Sequence, residues 1–317
     1  MSLSNLSEQG STDTTSTVGK EKPVSVKSGW RATLDTIVVL FKLRVVFLLV
    51  VAATSGAFVA AGGWPGIDIL LLTWVTGGMA AAGASALNQY WERKSDASMV
   101  RTSDRPLVTG EISRPRWVPV IGLLLILIPS LAVYSFNPAL TFWLLVGAFI
   151  YVVIYTIWLK PRTLLNVVIG GAAGSAAVLS GSAAAGMWNA PGALVLALIL
   201  FLWSPFHFWS LALLYRNDYA RADFPMLPAK TSPRGAAAWI MVHAVPAAIA
   251  GLALAALPFL GWSYLIPVLL VTIDLMWRAI KLLIDPSPRN ARKLFISSNI
   301  YLLVLLVAIC VGSVLPF

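Results

Sequence analysis

Charge is scarce in this chain: Asp, Glu, Lys and Arg together supply 11% of its 317 residues, while 58% are hydrophobic. Histidine occurs twice and cysteine once. The lone Cys310 excludes a disulfide framework, and its place in the last apolar run makes it a small buried residue in preference to a thiol nucleophile. Also missing is any period-two alternation of the kind a membrane barrel requires. With a mean hydropathy of +0.82, the composition points to lipid as the solvent. Helices and closed barrels are the only structures that satisfy their backbone amides there. The expectation is therefore an all-α, polytopic membrane protein. The formal charge of +10 raises nucleic acid as a partner, but the positive residues are not gathered in a soluble basic domain. The bilayer is the expected partner, and nucleic acid is not.

A helix crossing the hydrocarbon needs roughly 20 mostly apolar residues. Nine such segments follow one another, at 40–61, 67–90, 117–134, 139–158, 164–185, 191–215, 236–257, 261–284 and 294–315. Residues 1–36 are rich in Ser and Thr, with no apolar core or small-residue cleavage site, and read as a disordered cytoplasmic tail. Residues 37–317 are then one nine-helix membrane domain. All 23 Lys and Arg fall in the tail or at alternate helix ends, and the opposite connections carry none. The positive-inside rule places the N-terminus in the cytoplasm and, after an odd number of crossings, the C-terminus outside. The short tail without a basic transit segment favours a bacterial inner membrane.

Polar chemistry collects where the second apolar segment ends. Asn88, Glu92 and Asp96 recur every four residues and would share one face of a continuing helix. Stacked amide and carboxylate oxygens suit a hard cation, and magnesium keeps coordination places for water and phosphate. Arg101 and Arg105 follow closely and offer paired donors to phosphate oxygens. A solvated helix end, with the acids paired to Arg93 and Lys94, is the simpler alternative. A second acidic segment, Asn217, Asp218 and Asp223, follows the sixth apolar segment on the same side. Each acidic segment runs into a proline, Pro106 or Pro225, as a weak internal repeat would. In the eighth segment Asp274 lies one turn before Arg278, placed for an ion pair or for proton transfer. The glycine-rich stretches 77–83 and 170–181 allow close helix packing or leave room for a ligand.

These residues carry a family resemblance. The chain resembles the UbiA-type intramembrane prenyltransferases, which have nine helices, an Asn-x-x-x-Asp-x-x-x-Asp motif after helix two and a second acidic motif after helix six. Here the first motif is Asn88, Glu92, Asp96, with Glu in place of the middle Asp. Within the family the chain is most similar to the protoheme IX farnesyltransferase branch. The matching stretches are Lys42-Leu43-Arg44, Met99-x-Arg101-Thr102-x-x-Arg105-Pro106-Leu107, Tyr155-x-x-Trp158-Leu159-Lys160, Trp203-x-Pro205-x-His207-Phe208-Trp209, Asp218-Tyr219, Pro225-Met226-Leu227-Pro228 and Ala291-Arg292-Lys293-Leu294-Phe295. The chain departs from the usual pattern at Asn217, Asp223, Ser204, Phe206, Ala176 and Ala177.

The resemblance implies a mechanism. Mg2+ is the cofactor, held with farnesyl diphosphate by Asn88, Glu92, Asp96, Asn217 and Asp218, of which Asn88, Glu92, Asp96 and Asp218 are the catalytic set. Lys42, Arg44, Arg101, Arg105 and Lys160 would bind the diphosphate and neutralise it as it leaves. Tyr90, Tyr155, Trp158 and Tyr219 would face the allylic cation or serve as interfacial anchors. A vinyl group of haem b would attack and water would complete the addition, giving haem O for oxidase assembly, where a haem A synthase or oxidase assembly partner would receive it. A vinyl carbon needs no deprotonation, so no Ser or Cys nucleophile is expected. His207 would ligate or position the haem; a hydrogen bond between helices is its simpler role. His243 matches no motif. Two other functions fit parts of the pattern. One is a UbiA-type enzyme prenylating a quinone or chlorophyll precursor. The other is a transporter, although the acids gather at one face and not at the midplane.

Overall fold

The computed structural model describes residues 29–221 and 225–317. The expected tail as far as residue 28, with Lys20, Lys22 and Lys27, lies outside the described residues, as does Asp223. The chain enters through a surface helix, α1 (Trp30–Leu40). It begins six residues before the boundary expected at 36, because Trp30, Leu34, Ile37 and Val38 form an apolar stripe at helical spacing. Lys42 then turns the chain with φ +49°, the one positive φ at a non-glycine position among the described residues. Holding a long side chain in this left-handed region costs on the order of 1 kcal/mol. It persists at the entrance to α2 (Leu43–Ala61), where Lys42 makes the contacts described below.

Helix α3 (Ile67–Asp96) runs for 30 residues, about 45 Å at 1.5 Å per residue. It therefore overshoots a hydrocarbon core of roughly 30 Å, and its last turns carry Asn88, Glu92 and Asp96 beyond the apolar part. A short helix α4 (Pro106–Thr109) leads to α5 (Trp117–Tyr134) and α6 (Pro138–Phe149). The last continues through Ile150–Leu159 in the wider π-helical turn, in which the amide of Lys160 donates to the carbonyl of Tyr155 at 2.8 Å. Such widened turns recur at functional sites. The fifth crossing is split at Gly171 into α7 (Asn166–Gly170) and α8 (Ala172–Ala184). Then come α9 (Pro191–Leu214), the short α10 (Arg216–Arg221) and α11 (Leu227–Lys230), and α12 (Pro233–Ala253), α13 (Gly261–Ile284) and α14 (Pro288–Val314).

Eight of the nine expected segments are helices long and apolar enough to span a membrane. The exception is the eighth, α13, which is 24 residues long but carries Asp274, Arg278 and Lys281 in its second half. It packs along α14 through Tyr264, Val268, Leu275, Ala279 and Leu282, all buried.

Small residues bring the helices together. A methyl group on Gly56 would strike the carbonyl of Val178, and one on Gly181 the carbonyl of Ala53, so α2 and α8 cross backbone to backbone. Gly83 meets the carbonyl of Gly122 in the same way between α3 and α5. At Gly170 the neighbour is the ring of Tyr155, at 2.6 Å from a built Cβ. The second glycine stretch therefore both packs helices and makes room for an aromatic ring at the polar end of the bundle.

Candidate active site

The end of α3 is buried, with Asn88 1%, Glu92 6% and Asp96 5% exposed, so it is not the solvated helix end that the sequence alone also allowed. Their cations come from other elements, not from Arg93 and Lys94. Lys42 Nζ donates to Asn88 Oδ1 at 2.6 Å. Lys160 Nζ meets Glu92 Oε1 at 2.5 Å, and Arg105 meets Asp96 Oδ2 at 2.5 Å. One face of a single helix thus presents three oxygen-bearing side chains, each matched to a cation supplied by a different part of the chain. A buried ion pair is retained only with good geometry and further hydrogen bonds, and losing one partner costs about 3–5 kcal/mol.

Those further bonds are present. Asn88 Nδ2 donates to Thr156 Oγ1 at 2.8 Å, and Thr156 Oγ1 donates in turn to the carbonyl of Tyr151. Lys42 Nζ also donates to the Tyr151 hydroxyl at 3.1 Å. Thr102 Oγ1 closes the loop after α3 by donating to the carbonyl of Asp96 at 3.0 Å. Burial, with the charge of Arg105 nearby, pulls the Lys42 ammonium down to about 7.

Aromatic rings floor this cluster. Tyr151 and Tyr155 stack with centroids 5.9 Å apart and 9° between their planes. Lys42 and Lys160 each lie 5.8 Å over one of these rings. Tyr151 and Thr156 are the site residues that sequence reasoning missed. The four-residue spacing of Tyr151 and Tyr155 was the available signal, but nothing in it discloses a partner 109 positions away at Lys42.

In the second segment Asp218 is buried and pairs with Arg221, while Tyr219 packs edge-on against Phe208 at 6.3 Å. Two buried donors of these segments have no hydrogen-bond partner among the described residues: Arg101 Nε and the Tyr219 hydroxyl. A buried orphan donor calls for an acceptor, and both belong to segments expected to handle a phosphate-bearing substrate.

Several expected site residues lie apart from this cluster. Asn217 is exposed beside the buried Asp218, because neighbouring positions on a short helix point in different directions. Arg44 is exposed on α2 and has no ion pair with the site acids among the described residues. It lies two positions beyond Lys42, on the far side of the helix. Tyr90 is covered by the Arg93 guanidinium at 4.3 Å, and Trp158 is 56% exposed, so both serve the periphery. Among the described residues no three acid, His or Cys side chains converge as a ready metal cluster.

His207 on α9 is stacked between Trp203, at 4.1 Å, and Phe295, at 4.6 Å. His243 places Nδ1 against the Trp239 carbonyl of its own helix at 2.9 Å, which accounts for it locally. Asp274 takes the ion pair: Arg278 Nε lies 2.8 Å from Oδ2.

Residues 48–306 match the model of the UbiA prenyltransferase family. A relative from Paramagnetospirillum magneticum, protoheme IX farnesyltransferase 2, is 37% identical over 287 residues, which cover 90% of this chain and 99% of that one. Among solved structures, a UbiA homolog from Aeropyrum pernix K1 in its apo form superposes with a TM-score of 0.69 at 17% identity, covering 85% of this chain and 96% of that one. A UbiA homolog from Archaeoglobus fulgidus bound to GPP and Mg2+ gives 0.60 at 15% identity, covering 86% and 99%. At those identities the two structures speak to the fold alone.

Proposed function

This chain belongs to the UbiA prenyltransferase family, and from that premise we propose that it is a protoheme IX farnesyltransferase, joining the farnesyl group of farnesyl diphosphate to a vinyl group of haem b with addition of water. The relative of that name, matched along nearly its whole length, supports the acceptor. The observation that carries the diphosphate chemistry is the ladder of Lys42 on Asn88, Lys160 on Glu92 and Arg105 on Asp96 along one buried face of α3.

The donor set is chemically suited to magnesium. Asn88, Glu92, Asp96 and Asp218 offer an amide and three carboxylates, all hard oxygens and all buried. A relative in fold carries GPP and Mg2+. Magnesium at these residues would supply positive charge to the departing diphosphate.

The chain's own residues do the remainder. Lys42, Lys160, Arg101 and Arg105 bind the diphosphate oxygens, one of which accepts from the orphaned Arg101 Nε. Glu92 and Asp96 hold Lys160 and Arg105 in place beforehand, and Asn88 holds Lys42, so little reorganisation is needed as negative charge builds on the leaving group. Tyr151 and Tyr155 turn aromatic faces towards the allylic carbon, where positive charge develops as the C–O bond breaks. Burial of the cluster keeps bulk water from that carbon until the vinyl group has attacked. His207, held between two rings, offers a nitrogen to the haem iron. The acid-bearing end of the bundle faces the cytoplasm, with the C-terminus on the opposite side of a bacterial inner membrane, as the positive-inside rule supports.

The test is direct. Purified protein incubated with haem b, farnesyl diphosphate and Mg2+ should give the hydroxyethylfarnesyl product by mass. Absence of that product, with prenylation of a quinone precursor under the same conditions, overturns the acceptor while keeping the diphosphate site.

A further inference from the structure

The transfer chemistry leaves one polar cleft unused, away from the α3 ladder on the connection between α13 and α14. It measures about 260 Å³ and is lined by Asp274, Trp277, Arg278, Lys281, Asn290 and Lys293. Both oxygens of Asp274 accept from Arg278 Nε, at 2.9 and 2.8 Å, and Oδ2 also accepts from Ser297 Oγ at 2.6 Å. The guanidinium is thereby gripped by its Nε edge alone. Its two terminal nitrogens have no partner among the described residues, so a fork of donors stands fixed and unspent. Lys281 follows three positions later with its ammonium 4.5 Å over the ring of Trp277, and Lys293 is exposed on the facing turn of α14. Asn290 is committed to Asp285, with bonds of 2.9 and 2.8 Å. Three cations thus line the cleft against one acid, whose charge is already matched by Arg278.

The surroundings identify what would fill it. Trp277 is 58% exposed, and Ile273 and Ile280 beside it on the outer flank of α13 are 58% and 45% exposed. An exposed apolar flank beside a basic cleft at a helix end, with a tryptophan between them, is the arrangement of a lipid–water boundary. A planar fork of donors matches phosphate oxygens in pairs. We propose that this cleft binds the headgroup phosphate of an anionic phospholipid, with Arg278 on the phosphate, Lys281 and Lys293 beside it, and the acyl chains along Ile273 and Ile280. Inorganic diphosphate offers the same phosphate chemistry but has nothing to lay against the apolar flank.

Native mass spectrometry of the full chain in detergent, with phosphatidylglycerol or phosphatidylcholine added, tests the site. The wild type should retain phosphatidylglycerol in preference to phosphatidylcholine. Lys281→Gln with Lys293→Gln should weaken that binding about thirtyfold, taking ~1 kcal/mol for each basic residue. The double variant should keep its tryptophan-fluorescence melting curve and its farnesyl transfer, since neither lysine belongs to the α3 ladder. Equal retention of the two lipids by the wild type, or undiminished phosphatidylglycerol binding by the double variant, overturns the proposal. Displacement of bound phosphatidylglycerol by inorganic diphosphate assigns the cleft to soluble phosphate and overturns it as well.

Discussion

His207 on α9 and Ser298 on α14 are joined by a 2.7 Å hydrogen bond between Nδ1 and Oγ. Ser298 Oγ also donates to the carbonyl of Phe295 at 2.7 Å; with that bond made, its oxygen would accept from His207, which would put the imidazole proton on Nδ1. The lone pair is then on Nε2, the atom a metal would need. Fixing a ligand's tautomer through its other nitrogen is the usual task of a residue behind a metal ligand. Trp203 Nε1 bonds the carbonyl of the same Ser298 at 2.8 Å, so the whole stack is anchored on one residue of α14.

If His207 ligates the haem iron, His207→Ala should abolish the haem spectrum's ligand-dependent features, and Ser298→Ala should weaken haem affinity by ~10-fold or more, as for other residues behind metal ligands. Absorption titration with haem b measures both. A spectrum unchanged in His207→Ala rules out ligation and leaves His207 as a bond between helices.

Asp96→Asn and Asp218→Asn should each lower farnesyl transfer by ~100-fold or more, since each removes a carboxylate that would hold Mg2+ against the leaving group. Asparagine can still accept from Arg105 or Arg221, so both variants should remain folded in detergent. Chelation should silence the wild type, with Mg2+ restoring it. Full turnover in both variants would remove the metal assignment.

Glu92 and Lys160 should behave as one unit. Breaking this buried pair from either side should cost about 3–5 kcal/mol, because it strands a charge. Glu92→Gln with Lys160→Met should cost less than the sum of the single changes. Thermal melts of the three variants give the coupling. Simple additivity would mean that the 2.5 Å contact contributes nothing.

Gly170→Ala should act at a distance through Tyr155. The added methyl would meet the Tyr155 ring, push it off its stack with Tyr151 and lower kcat by ~10-fold or more, in line with the penalty for misplacing groups around a reacting centre. KM for farnesyl diphosphate should change little, because the cations are untouched. An unaltered kcat would remove Tyr155 from the transfer step.

Tyr151→Phe deletes the hydroxyl that shares Lys42 with Asn88. Loss of one hydrogen bond to a charged group is worth about 1.5–3 kcal/mol, so KM for farnesyl diphosphate should rise by ~10-fold or more. A KM equal to that of the wild type would confine the hydroxyl to packing.

The sequence by itself determined the helical membrane architecture and singled out the segment proposed to carry the chemistry. Apolar length fixes where helices can run in lipid, and lysines and arginines confined to alternate ends separate one set of helix ends from the other. Four-residue spacing puts Asn88, Glu92 and Asp96 on one face. These properties are local, set by the period of a helix and the thickness of a bilayer. Tertiary structure decided which cation meets which acid, because Lys42, Lys160 and Arg105 reach α3 from three separate connections. It also turned Arg44 and Asn217 outward, brought Tyr151 and Thr156 in, and gave His207 its partner on α14. Facing and pairing depend on how helices rotate against one another, and that rotation is set by backbone-to-backbone contacts such as Gly181 on Ala53, between segments far apart in the chain.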